Sequence, residues 1–160
     1  MAESLAERVI KSIDQAAELY HRLIMLVAPA GSGKTAALQE VHERTGAPLI
    51  NVNLELSRRM LDLTARQRVL QVSRLLGEIV GTSAADVVLL DNIEILFDVS
   101  LKQDPLRLLQ GLSRNKTIVT AWSGAIVDGY LTYAVPKHPE YRRYGTNDLL
   151  LINVNKMKGQ

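Results

Sequence analysis

The chain has no cysteine, which removes disulfides, thiolate nucleophiles and Cys-ligated zinc and fits a reducing compartment. It also lacks a long apolar run. The longest, Leu23 to Ala30, is interrupted by Pro29 and falls far short of the ~20 residues that a membrane-spanning helix requires. The first residues carry Glu3, Glu7 and Arg8, where a signal peptide needs a basic start and an unbroken apolar stretch. A cytoplasmic location without membrane association is therefore expected. Nor does one sign of charge dominate. Nineteen Lys and Arg against seventeen Asp and Glu give a net +2, too small a balance to advertise nucleic acid by itself.

What is present is a globular composition: 160 residues, 47% hydrophobic and 22% charged, away from the low-hydrophobicity signature of disorder. One domain over residues 1–160 is expected. At this length a chain buries roughly 70% of its unfolded surface, enough for a core without staples.

Ser4 and Glu7 match a capping box, and Leu5, Val9, Ile13 and Ala16 recur at helical spacing, which predicts a helix over 4–21 within an N-terminal segment 1–22. Leu23 to Ala28 reads as a buried strand, Lys34 to Thr45 as a helix stopped by Gly46 and Pro48, and Leu49 to Leu54 as an alternating strand. A helix over Ala65 to Val80, a strand over Val87 to Leu90, a helix over Leu106 to Leu112 behind Pro105 and a strand over Thr117 to Ala121 follow. Beyond Gly124 the pattern weakens into an irregular or strand-containing segment, 125–160. Tyr130 to Val135 reads as a strand, Pro139 to Tyr144 as a short helix or turn, and Leu149 to Val154 as a last strand. Such alternation predicts an α/β fold: a central, mostly parallel sheet of about five strands between two layers of helices.

The turn after the first strand reads Ala28-Pro29-Ala30-Gly31-Ser32-Gly33-Lys34-Thr35. It fits the phosphate-binding pattern GxxxxGK[ST] at every defined position but the first, where Ala28 stands in place of glycine. A strand leads in and a helix leads out, so backbone N–H groups and the positive helix end converge on phosphates. Residues 28–36, ending at Ala36, are the expected nucleotide contacts. Lys34 would place its charge at the β and γ phosphates, and the Thr35 hydroxyl would ligate Mg²⁺. ATP with Mg²⁺ is the expected cofactor pair.

Val87 to Leu90 run into Asp91, where a P-loop protein places the carboxylate that orients Mg²⁺, at the same sheet edge as the turn. A glutamate often follows that aspartate; here Asn92 follows, and the first glutamate is Glu94. Asn92 can orient water but cannot accept its proton, whereas Glu94 is a carboxylate whose reach depends on the turn geometry. Slow hydrolysis is expected. Thr120, with Ser123 nearby, is a candidate γ-phosphate sensor or an ordinary strand-end cap. Arg114 is a candidate finger reaching a neighbouring copy.

Arg58, Arg59, Arg66, Arg68 and Arg74 face one acid, Asp62, between Ser57 and Gly77. They read as a solvated face or as a phosphate-binding surface. Lys137, Arg142, Arg143, Lys156 and Lys158 enrich the C-terminal part. Five of the seven aromatics, Trp122, Tyr130, Tyr133, Tyr141 and Tyr144, share that region and read as packing, as an interface or as a nucleic-acid stacking surface. His21, His42 and His138 have no metal-ligand spacing.

Several segments together resemble one family. They are Asp91-Asn92-Ile93-Glu94 continuing as Ile95-Leu96-Phe97-Asp98, then Asp104-Pro105-Leu106-Arg107-Leu108-Leu109, Ala121-Trp122-Ser123-Gly124, and His138-Pro139-Glu140-Tyr141-Arg142-Arg143-Tyr144. The combination resembles BrxF, the small P-loop proteins of BREX phage-defence systems. The resemblance implies an intracellular ATP-binding component working with larger defence proteins, among them a methyltransferase and a PglZ-type protein, and a nucleotide-dependent homo-oligomer is compatible with it. Leu90 to Glu94 also resembles the Walker B region of initiator-type AAA+ ATPases. Such proteins usually add a C-terminal helical lid, and with a short tail after Val135 no lid is expected here. Competing readings are a DNA-associated loader ATPase, a P-loop kinase and a structural partner with a vestigial nucleotide site.

Overall fold

A computed structural model describes residues 3–154. Lys156 and Lys158 lie outside the described residues. Seven strands form one sheet: β1 (Leu23–Ala28), β2 (Leu49–Asn51), β3 (Val87–Asp91), β4 (Thr117–Val127), β5 (Tyr130–Tyr133), β6 (Arg142–Gly145) and β7 (Leu150–Asn153). Five run parallel in the order β2-β3-β4-β1-β7, with β4 between the two strands that carry the phosphate turn and Asp91. Of the remaining two, β5 pairs antiparallel with the far half of β4, and β6 pairs antiparallel with β5.

Period-2 alternation sorts the strand side chains into two cores. Leu23, Met25, Val27, Val88, Leu90, Ile118 and Trp122 face α3 (Val52–Met60), α4 (Ala65–Gly81) and α5 (Pro105–Leu112). Ile24, Leu26, Ala28, Leu89, Val119 and Ala121 face α1 (Leu5–Ala16) and α2 (Lys34–Thr45). With helices on both faces, β1 is buried along its whole length, which is why it reads as an unbroken apolar run. The architecture is the expected α/β three-layer one.

Three local expectations are corrected. First, α1 ends at Ala16 rather than 21. The buried stripe Ala6, Val9, Ser12 and Ala16 has no continuation, because Leu19 and Tyr20 are 45% and 70% exposed. Second, the strand expected to reach Leu54 stops at Asn51, whose side chain accepts from the Leu54 N–H at 3.1 Å and starts α3. Val52, Leu56 and Met60 are buried at i, i+4 and i+8, so tertiary burial selects the helical period over the local Asn alternation. Third, residues 142–144, expected within a helix or turn over 139–144, belong to β6, because Leu131 pairs with Tyr144 and the Tyr144 ring reaches the Trp122 ring, 6.0 Å between centroids.

β4 is eleven residues long and projects beyond its parallel neighbours into a hairpin with β5. Asp128 (φ 51°) and Gly129 (φ 80°) make the turn, an Asp-Gly pair suited to two left-handed positions. Trp122, Phe97 and Tyr133 pack beneath it, Phe97 stacked on Tyr133 at 3.6 Å and edge-on to Trp122 at 5.1 Å. The Trp122 indole N–H donates to the Thr132 carbonyl at 3.0 Å. Gly124 sits in that crossing, where a Cβ would lie 2.0 Å from the Thr132 oxygen.

Gly124→Ala is expected to destabilise the fold by about 1–3 kcal/mol through overpacking, lowering Tm by roughly 2–12 °C at this chain length. Gly77→Ala, in α4 with open space around the added methyl, should hold or raise Tm. Thermal unfolding followed by circular dichroism compares the two. Equal Tm values would show that the close approach at Gly124 does not constrain the hairpin.

Candidate functional site

The Gly-rich turn, residues 28–35, occupies the carboxyl end of β1. Gly31 (φ 78°) and Gly33 (φ 91°) adopt left-handed backbone, which lets the chain curl before Gly33 caps α2. Ala28 stands where the motif carries glycine, yet its φ is negative and its methyl belongs to the α1/α2 core, so this geometry does not require glycine there.

Lys34, only 6% exposed, donates from Nζ to the Ala28 carbonyl at 2.9 Å and the Pro29 carbonyl at 2.7 Å. Burial pushes its ammonium down from the ordinary lysine value, against the opposing pull of Glu94 and Asp91. The Thr35 hydroxyl donates to Asp91 Oδ2 at 2.6 Å, while Asp91 Oδ1 accepts from the Asn92 N–H at 2.9 Å. Two residues 56 positions apart in sequence thus meet at one point.

A cleft of about 220 Å³ opens above this contact, lined by the turn and by Lys34, Thr35, Asp91, Asn92, Glu94 and Ser123. Glu94 opens a 3₁₀ turn, 94–97, after β3. Burial first, and the neighbouring Asp91 charge as well, push its carboxyl above the usual glutamate value. A carboxyl raised by burial in a cleft is suited to accepting a proton.

The remaining expected site residues fall in different places. Pro29, Ala30, Gly31, Ser32 and Gly33 form the turn, whereas Ala36 lies exposed on the first turn of α2 and outside the cleft lining. Thr120 is fully buried inside β4, with its hydroxyl donating to the Ala121 carbonyl at 3.1 Å. Strand alternation turns Ala121 and Ser123 toward the cleft instead. Arg114 precedes β4 at the opposite sheet edge, 5.3 Å over the Tyr20 ring. Most of the Arg58–Arg74 cluster is engaged internally: Arg58 and Arg59 pair with Glu55, Arg74 with Glu78, and Arg68 donates to the Met60 and Leu63 carbonyls. Trp122, Tyr133 and Tyr144 are packing residues of the hairpin. Burial pushes the Tyr133 hydroxyl up to about 12.

One positioning residue escapes the sequence reading. Asn53, near the start of α3, accepts from the Ile95 N–H at 2.8 Å through Oδ1 and donates its own N–H to the Asn92 carbonyl at 2.9 Å. It clamps both sides of Glu94, next to the left-handed Asn92 (φ 52°). Its signal was present as an Asn pair at a strand end, which reads as a helix start only once α3 is recognised.

Thr35 Oγ1 and Asp91 Oδ2 are hard oxygen donors of the kind Mg²⁺ takes alongside substrate phosphates, so these two residues fit the expected ion. No protein-family model matches the chain, and no curated protein matches it. Among solved structures, one of C. elegans PCH-2 is similar at 17% identity and a TM-score of 0.45, over 80% of this chain and 40% of that one. This chain therefore spans less than half the length of that structure, and a likeness of this size assigns no family.

Proposed function

We propose that this chain binds ATP with Mg²⁺ in the cleft at the carboxyl ends of β1 and β3 and hydrolyses it slowly. The carrying observation is the convergence, in one cleft, of the Lys34 ammonium, the Thr35–Asp91 contact and the burial-raised Glu94. The turn amides and the positive end of α2 suit the phosphate oxygens. Lys34 already points its ammonium into the curl of the turn, with one of its three donors left beyond the two loop carbonyls. Mg²⁺, held by Thr35 and Asp91, would neutralise charge on the β and γ phosphates. Glu94 takes the proton from an attacking water that Asn92 and Ser123 help to orient. Asn53 keeps that carboxylate in place.

In the cell the reading is a nucleotide-dependent switch within a BREX-type phage-defence system, assembling with larger defence proteins or with further copies of itself. It is supported by the resemblance of the 91–98, 104–109, 121–124 and 138–144 segments to the BrxF family. Bound phosphates would fix the turn and the 92–95 loop, and through Phe97 stacked on Tyr133 the hairpin, which offers partners an altered surface.

Lys34→Ala should weaken ATP binding about tenfold to a hundredfold, the loss of a charged hydrogen bond, and abolish phage protection. Calorimetry and a plaque assay read the two effects. Full protection by a variant that no longer binds ATP would remove the switch. Wild-type turnover is expected below ~10 per second, the enzyme median.

Glu94→Gln should keep ATP affinity within a few-fold while lowering kcat by roughly 10²–10⁴. Because the base works deprotonated, hydrolysis should fall as pH drops through the Glu94 pKa. Burial places that acid limb above the range of an ordinary glutamate. A pH–rate profile unchanged by Glu94→Gln would assign the proton transfer elsewhere.

A further inference from the structure

Along α5 and on to the amino ends of β1 and β4 runs a groove that the reaction above does not use. Two adjoining clefts, of about 640 Å³ and about 660 Å³, share Gly111 and Asn115 as a common wall. Lys102, Arg107 and Lys116 border the first, between α4 and α5; Arg22 and Arg114 border the second, beside the 17–22 turn. Asp104 is the one carboxylate lining either. It is already engaged, accepting from the Leu106 and Arg107 N–H groups and from the Tyr144 hydroxyl.

Arg107 apart, these cations have no carboxylate within ion-pair distance among the described residues. Arg22 donates to the Arg114 carbonyl at 3.2 Å, and Lys116 donates to the Val80 and Ser83 carbonyls at the end of α4. Arg107 is 86% exposed and 4.0 Å from its nearest carboxylate oxygen. Five positive charges along a concave track, against one occupied acid, focus a positive potential suited to a polyanion. A methyl placed on Gly77, Gly81 or Gly111 would meet nothing within 4 Å, so the walls leave room for a chain. At the Arg22–Arg114 end stands Tyr20, 70% exposed, edge-on to His21 at 4.7 Å and under the Arg114 guanidinium. An exposed aromatic beside arginines is a surface on which an unpaired base stacks.

We propose that this groove binds the phosphodiester backbone of single-stranded nucleic acid, with Arg22 and Arg114 on phosphates and Tyr20 against a base. An acidic peptide would meet the same cations but has no flat ring for Tyr20, and a duplex keeps its bases stacked away from it. The contrast with the Arg58–Arg74 cluster is one of charge: there Arg58, Arg59 and Arg74 are paired with carboxylates, whereas Arg22 and Lys116 bond only to carbonyls, which leave their charge uncompensated. The groove shares no lining residue with the nucleotide cleft, so it stands or falls independently of the nucleotide reading.

The test is fluorescence anisotropy of a labelled single-stranded oligonucleotide with the full chain, titrated with salt. Binding should weaken with salt, with a log–log slope of about −0.7 per phosphate contacted. Arg22→Gln with Arg114→Gln should weaken it at least tenfold and make the slope shallower by about 1.4, two contacts' worth. Tyr20→Ala should weaken it about fivefold or more at unchanged slope, as loss of stacking does. Arg107→Gln, on a highly exposed side chain, should act in the same direction as the double variant and serves if that variant fails to fold. Lys34→Ala and Arg66→Gln should bind as wild type. No binding at 50 mM salt, an unchanged slope in the folded arginine variants, or equal affinity for a duplex or a polyglutamate peptide would each overturn the proposal.

Discussion

A buried ammonium must be surrounded by oxygen, and that requirement organises the upper edge of this sheet. Lys34 is withdrawn from solvent, so the turn bends its own Ala28 and Pro29 carbonyls onto Nζ, and the Asp91 and Glu94 carboxylates act on it across the cleft. An unpaired buried cation would cost several kcal/mol. The left-handed glycines of the turn, the strand end at Asp91 and the 3₁₀ turn carrying Glu94 are the backbone arrangements that bring those oxygens together. A phosphate chain asks for the same convergence with the signs reversed: amides and an ammonium for its oxygens, carboxylate and hydroxyl for its metal ion.

The support for that edge comes from two directions. On one side Asn53 holds the loop around Glu94 from the start of α3. On the other, the long β4 carries a hairpin whose aromatic underside packs Tyr133 on Phe97, at the end of the same 3₁₀ turn. The aromatics are few, and most are concentrated here. Large rings bury much area per side chain, which lets a short antiparallel extension hold its place against the loop that bears the proposed base.

The two ends of the sheet are chemically distinct. At the carboxyl ends of β1 and β3, Lys34 shares a cleft with two carboxylates, Asp91 and Glu94. At the amino ends of β1 and β4, Arg22, Arg114 and Lys116 gather, and no carboxylate among the described residues lines the cleft beside Arg22 and Arg114. Parallel strands impose this polarity, because every strand end of one kind falls on the same side, and loops on opposite sides are free to differ in charge.

The sequence alone carried the alternation of strands and helices, the phosphate turn and the aspartate at the end of β3, because these rest on local periodicity and contiguous spacing. It misplaced α3, since Asn51-Val52-Asn53 alternates like a strand until Leu56 and Met60 are seen buried against α4, and it missed β6, whose side chains acquire a pattern only when paired with β5. The Arg58–Arg74 run stood out in the sequence, whereas the basic groove did not, its members being scattered from Arg22 to Lys116. Which residues are candidates for phosphate binding was therefore set by local order along the chain. Which of them share a cleft, that Ser123 rather than Thr120 lines it, and where uncompensated charge collects were decided by strand pairing and burial, which join residues that the chain keeps far apart.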